Sequence, residues 1–217
     1  NSETLAELEV AAGRYQRCES CSVVDQFLSR STPGSLCPVC RSPSEGGMSY
    51  FYVNVDMTVD LLIEAARQTP IVHLEDTHFA YSSKLQSISI LLLFCTLREI
   101  LLNQFIEELF IAQAVPDSLR ERMLQNNQGQ DRLTNKLISS LIGKKWRAAM
   151  AEIDEQSGTD YLANESVIKL LIDLRNDFIH TGDQWALNEQ NTNDCLDQAL
   201  RSIHLFVALH NRYVHKP

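Results

Sequence analysis

The stretch "SSKLQSISILLLFCTLREILLNQFIEELFIAQA", residues 82–114, decides the fold class. Its apolar residues recur at intervals of three and four, the spacing that lays a stripe along an α-helix, and no glycine or proline interrupts them. The pattern stops at "VPDS", where Pro116 lacks the N–H needed to continue a helix but suits the first turn of the next one. Arg98, Glu99, Asn103, Gln104, Glu107 and Glu108 break the apolar run well short of an uninterrupted bilayer span. The stretch is therefore expected to be the buried central helix of a bundle, with no membrane partner.

Working outward, helical spacing recurs over 117–126, over 131–154 after the polar "NNQGQ", over 165–180 and over 193–213. Long helices joined by short polar loops imply an α-helical bundle, here residues 82–215. Upstream, "MTVDLLIEAARQT" (57–69) also reads as helical and stops before Pro70, within a helix-and-linker segment over 56–81 whose residues 70–82 look irregular. "MSYFYVNV" (48–55), rich in aromatic and β-branched residues, reads as a short strand. The opening residues form a short helix that Gly13 would stop. The fold class is mainly α, a helical bundle preceded by a small module over 14–55.

That module carries Cys18-x2-Cys21 and Cys37-x2-Cys40, the spacing of a four-thiolate tetrahedral site in which each CxxC forms a tight knuckle. The segment is rich in loops ("STPGS", "RSPSEGG") and poor in large apolar residues, so burial alone cannot hold it together. Metal binding can supply the missing folding free energy. A closed structural Zn site, a zinc ribbon, is the expectation. An iron site and, in an oxidising compartment, disulfides are the alternatives. Arg14, Arg17, Arg30 and Arg41 flank the knuckles and are either an RNA-phosphate surface or simply solvated. Cys95 and Cys195 lie singly in helical patterns and read as small core residues.

Of the 217 residues, 44% are hydrophobic and 22% charged, an ordinary globular composition. The net charge of −9 argues against coating nucleic acid by bulk electrostatics. Residues 116–150 depart from this balance, with seven Lys/Arg against three acids. Within them "GKKWR" sets Trp146 among Lys144, Lys145 and Arg147, which could stack on a base while holding phosphates, or be a solvated face with its Trp in the core. The chain opens at Asn1 without a charged-then-apolar leader, and a cytoplasmic location is the default expectation. A zinc-protease motif, a P-loop, a dinucleotide turn and a serine elbow are all missing, and His73, His78, His204, His210 and His215 lack metal-type spacing.

The remaining anomaly is "LRNDFIHTG", residues 174–182. Val167, Leu171, Leu174 and Phe178 form one apolar stripe, and Ile168, Ile172, Arg175 and Ile179 a neighbouring one, so Arg175 occupies an apolar slot. Asn176 and His180 share a face. Arg175 and His180 lie about 140° apart around a regular helix, so one helix does not aim both at one atom unless it ends near Gly182 or a second copy faces it. Read without further context, this is a polar helix end with its histidine on the dipole.

Late in an all-helical bundle, however, Arg175-Asn176-x3-His180 resembles the signature of the HEPN family, in which an Arg followed by a polar residue precedes a His by four to six residues. The resemblance covers about residues 82–215. It implies a homodimer whose motif helices meet in a shared cleft, and in many members an endoribonuclease that requires no metal for catalysis. Arg175, Asn176 and His180 would then be catalytic on an RNA substrate (tRNA or mRNA), and the setting would be stress, toxin or anti-phage defence with an antitoxin or defence partner; Lys144, Lys145, Trp146 and Arg147 remain substrate-contact candidates on their own composition. Members modified by a partner nucleotidyltransferase carry Tyr two residues after the His, where this chain has Gly182. Other members have lost catalysis and serve as interaction modules.

Overall fold

In the computed structural model the described residues, 2–12, 15–25, 36–42, 55–68, 76–182 and 187–214, are mainly helical. In chain order they form α1 (Ser2–Ala12), β1 (Gln16–Arg17), β2 (Val24–Asp25), α2 (Val55–Arg67), α3 (Asp76–Ala112), α4 (Asp117–Asn126) and α5 (Gln130–Arg132). A π-helical segment (Leu133–Ile138) runs from α5 into α6 (Ser139–Ile142), and α7 (Trp146–Ser157), α8 (Glu165–Thr181) and α9 (Glu189–Tyr213) follow. The chain divides into two compact units, one of residues 1–15, 52–101 and 164–203, the other of 16–51, 102–163 and 204–217. Each unit is assembled from stretches distant in sequence, and the division falls inside α3 and α9.

The first unit contains α1, α2, α8 and the first parts of α3 and α9. α1 packs on α2, with Leu8, Val59 and Leu62 fully buried and an Arg67–Glu9 ion pair at the edge. Gln86 on α3 donates through Nε2 to the carbonyls of Ala65 (3.0 Å) and Gln68 (2.8 Å), satisfying groups that the end of α2 would otherwise leave open. The core draws on Ile90, Leu91, Phe94 and Leu97 of α3, Leu171 of α8, and Leu196, Ala199 and Ile203 of α9. α9 starts at a reciprocal cap: Asn191 N–H donates to Asn188 Oδ1 (2.9 Å), and Asn188 N–H to Asn191 Oδ1 (3.1 Å).

The second unit contains the cysteine segment, the rest of α3, α4 to α7 and the end of α9. Phe105 of α3 meets Phe206 of α9 edge to face at 5.8 Å, and Trp146 lies 6.4 Å from Phe206. Two residues past the end of α3, Ala114 adopts φ 53°, with Ala114 N–H bonding Ile111 O (3.0 Å) and Val115 N–H bonding Phe110 O (2.9 Å). Pro116 then serves as the N-cap residue of α4, in keeping with its expected double role.

Boundaries differ from expectation in α3 and around Gly143. α3 starts at Asp76 rather than Ser82, because residues 76–81 carry no repeated apolar spacing for a sequence pattern to detect. The helix expected over 131–154 is interrupted at Gly143, which adopts φ 69°; Lys144 N–H bonds Ser139 O, and α7 restarts at Trp146 with its N–H on Ser139 Oγ (3.0 Å). The strand expected over 48–55 lies outside the described residues except for Val55, which opens α2. Gly13, Arg14, Arg30, "STPGS", residues 43–47, residues 70–75, His73 and His215 also lie outside them. By length and composition α3 from Lys84 to Ala112 could cross a bilayer, but half of its most apolar window is buried within the protein, as in a core helix.

Candidate functional site

The motif helix α8 is amphipathic, yet Leu171 is its one fully buried residue. Nine residues separate Leu171 from His180, half a turn around the helix, so the exposed His180 faces away from the core. Asn176 lies half-buried on the same side. Ile172 and Ile179 border this face, and Ile179 is 54% exposed. The helix ends where Gly182 takes φ 73° and its N–H bonds Phe178 O at 2.8 Å, the left-handed cap that the sequence suggested.

Arg175 points elsewhere. Its side chain is 22% exposed and reaches α3, where Nη2 donates to Glu99 Oε1 in an ion pair. Its Nε is buried with no hydrogen-bond partner. The apolar slot therefore holds a cation facing a carboxylate that itself is 53% exposed. No hydrogen bond joins Arg175, Asn176 and His180 to one another within the chain. Around this pair, Arg98 of α3 is buried and donates to Ser202 Oγ on α9 (3.2 Å), and burial lowers its pKa to about 10. Burial pushes the Cys95 and Cys195 thiols up, consistent with unreactive core residues.

The four knuckle cysteines converge. Their sulfur atoms all lie within 4.8 Å of one another and could hold a metal ion. Cys18 Sγ and Cys40 Sγ are 3.7 Å apart, and Cys21 Sγ and Cys37 Sγ 3.8 Å. Both knuckles use the same backbone pattern: Ser22 N–H bonds Cys18 O (2.8 Å) as Arg41 N–H bonds Cys37 O (3.0 Å), and Cys18 N–H bonds Val23 O (2.8 Å) as Cys37 N–H bonds Ser42 O (2.9 Å). Ser22 and Arg41 accordingly share a left-handed φ near 60°. Hydrogen bonds from the Ser42 hydroxyl and N–H hold the exposed Cys40 down to about 6, whereas burial pushes Cys21 up to about 12.

Residues far along the chain fasten the knuckles. Asn211 of α9 accepts the Val24 N–H (2.7 Å) and donates to the Val24 carbonyl (2.8 Å). Nε2 of the fully buried His210 lies 2.9 Å from Ser22 O, and Arg17 pairs with Glu108 of α3 at 2.6 Å. Sequence reasoning missed Asn211 and His210, since neither has a pattern that ties it to the cysteines.

"GKKWR" divides. Trp146 is 3% exposed and packed near Phe206, so its ring is core and cannot stack on a base. Lys144 is paired with Glu152, which also accepts Arg212 Nε (2.9 Å) and Tyr213 OH (3.1 Å). Lys145 and Arg147 are exposed. Against known proteins, the chain matches no family model, no curated protein and no solved structure.

Proposed function

We propose that the protein is a metal-independent endoribonuclease of the HEPN type, active as a homodimer through α8 and carrying a structural zinc ion on Cys18, Cys21, Cys37 and Cys40. The observation that carries the enzymatic reading is the exposed face of α8, where His180 and Asn176 sit beside Ile179, an apolar residue left 54% open. A second copy seated there would cover the isoleucine and bring two histidines into one cleft. For zinc, the argument is metric: with Zn–S bonds of about 2.3 Å, a tetrahedral site has sulfur–sulfur edges of about 3.8 Å; two of the pairs lie at 3.7 and 3.8 Å, and all four sulfurs lie within 4.8 Å of one another.

In such a cleft His180 takes the proton of the ribose 2′-OH as that oxygen attacks phosphorus, and a protonated histidine supplies the departing 5′-oxygen. Arg175 stabilises the charge on the pentacovalent phosphorus and Asn176 orients the pair. The products are a 2′,3′-cyclic phosphate and a 5′-OH. Of the candidate RNA contacts, Lys145 and Arg147 are exposed, whereas Trp146 is buried. A cytoplasmic stress, toxin or defence setting, with a cognate antitoxin or defence partner, rests on the family resemblance alone.

The second reading is a non-catalytic interaction or RNA-binding module, favoured by the Glu99 carboxylate already engaging Arg175. Incubating tRNA or total RNA in Mg²⁺-free buffer with wild type, His180→Ala and Arg175→Ala separates the two. Cleavage by wild type alone supports the nuclease. RNA left intact by all three at high protein concentration supports the binding module.

A further inference from the structure

We propose that Glu99 is a built-in competitor for the phosphate that Arg175 would bind, so that an RNA phosphodiester engages Arg175 only by displacing this carboxylate. The inference deepens the nuclease reading and rests on it for the identity of the ligand. Two features of the pair carry it. Arg175 is mostly buried and its Nη2 is already engaged by Glu99, so an incoming anion has little of the side chain to reach while that pair stands. The buried Nε makes no hydrogen bond, so the guanidinium leaves donor capacity unused in its present arrangement. A phosphodiester offers acceptor oxygens to the accessible N–H groups of the guanidinium, where one carboxylate oxygen now engages Nη2.

The second requirement is that the competitor can leave. Glu99 is 53% exposed on α3, so solvent is ready to receive its carboxylate when it swings away, and an ion pair open to water on one side is a weak one. The pair thus holds the arginine in a closed state without locking it there.

The test measures binding and cleavage separately. A fluorescent all-2′-deoxy oligonucleotide, which lacks the attacking hydroxyl, is titrated by anisotropy with wild type, Glu99→Gln, Arg175→Gln and the double variant. Asp173→Asn, on the exposed part of α8, controls for the change in net charge. Glu99→Gln should tighten binding by about two- to fivefold, the range expected from releasing an exposed ion pair. Asp173→Asn should not match that gain, and it should vanish when Arg175→Gln is added. Cleavage of the matching RNA at subsaturating concentration should rise with the affinity. Tighter binding by Glu99→Gln with no cleavage by any protein would uphold the competitor and sink the nuclease. Robust wild-type cleavage with binding unchanged or weakened in Glu99→Gln would overturn the competitor and leave the nuclease standing. Should Glu99→Gln fail to give a wild-type circular dichroism spectrum, Glu99→Asp, which draws the carboxylate back by one methylene, replaces it; a gain in affinity supports the proposal and no gain overturns it.

Discussion

The side-chain amide of Asn211, near the end of α9, closes on both backbone polar groups of Val24, three residues past Cys21. Val24 is 2% exposed, so those groups have no water to fall back on. The cysteine cluster is thereby joined to the helical core of its unit, so a metal held on it would be a folding variable for the helices. Stripping the metal should lower the thermal midpoint and reduce helical ellipticity, not merely loosen residues 16–42. Asn211→Ala should cost about 1–3 kcal/mol by orphaning the Val24 N–H and carbonyl, and should speed metal loss to a chromogenic chelator. An unchanged melting curve after complete metal removal would contradict this coupling.

Glu152 carries the clearest pH signature. Hydrogen bonds from Lys144 first, then Arg212, hold its carboxyl down to about 2. A carboxyl depressed on folding stabilises the native state above its unfolded value of about 4.3, and that contribution is lost as pH falls toward 2. Urea midpoints of wild type should fall more steeply than those of Glu152→Gln between pH 4.5 and 2.5. Parallel curves would show that the cluster adds nothing.

Trp146 separates packing from recognition. Trp146→Ala should destabilise by about 3–5 kcal/mol through lost core contact with Phe206. Trp146→Phe should retain most of the fold and leave RNA affinity unchanged, whereas Lys145→Ala combined with Arg147→Ala should weaken RNA binding and flatten its salt dependence. A loss of affinity in Trp146→Phe at full stability would restore the stacking role.

The dimer reading turns on Ile179. Ile179→Asp places a charge where a second copy of α8 would pack, and light scattering should report a monomer with an unaltered circular dichroism spectrum and abolished cleavage. A wild-type protein that is monomeric at micromolar concentration yet cleaves RNA would remove the shared cleft.

What the sequence made legible follows the range of the interactions involved. α4 and α8 stand close to where periodicity placed them, because their apolar spacing and their stops, Pro116 before α4 and Gly182 after α8, are local signals. α9 begins at Glu189, earlier than expected, because its start is a reciprocal Asn188–Asn191 cap that the polar "LNEQN" conceals. The break at Gly143 was written in a glycine but overridden by the apolar pattern running through it. Within the candidate site, the CxxC spacing foretold the convergence of the four sulfurs, and the apolar slot of Arg175 foretold its partial burial. Its partner Glu99 lies 76 residues away, and Asn211 lies 187 residues from Val24, distances over which no local pattern operates.

The most direct measurement of the central claim is the chemistry of the RNA ends. Wild type incubated with tRNA in Mg²⁺-free buffer should release fragments ending in a 2′,3′-cyclic phosphate and beginning with a 5′-OH, and His180→Ala should release none. Fragments bearing a 3′-OH and a 5′-phosphate, or equal cleavage by His180→Ala, would contradict it.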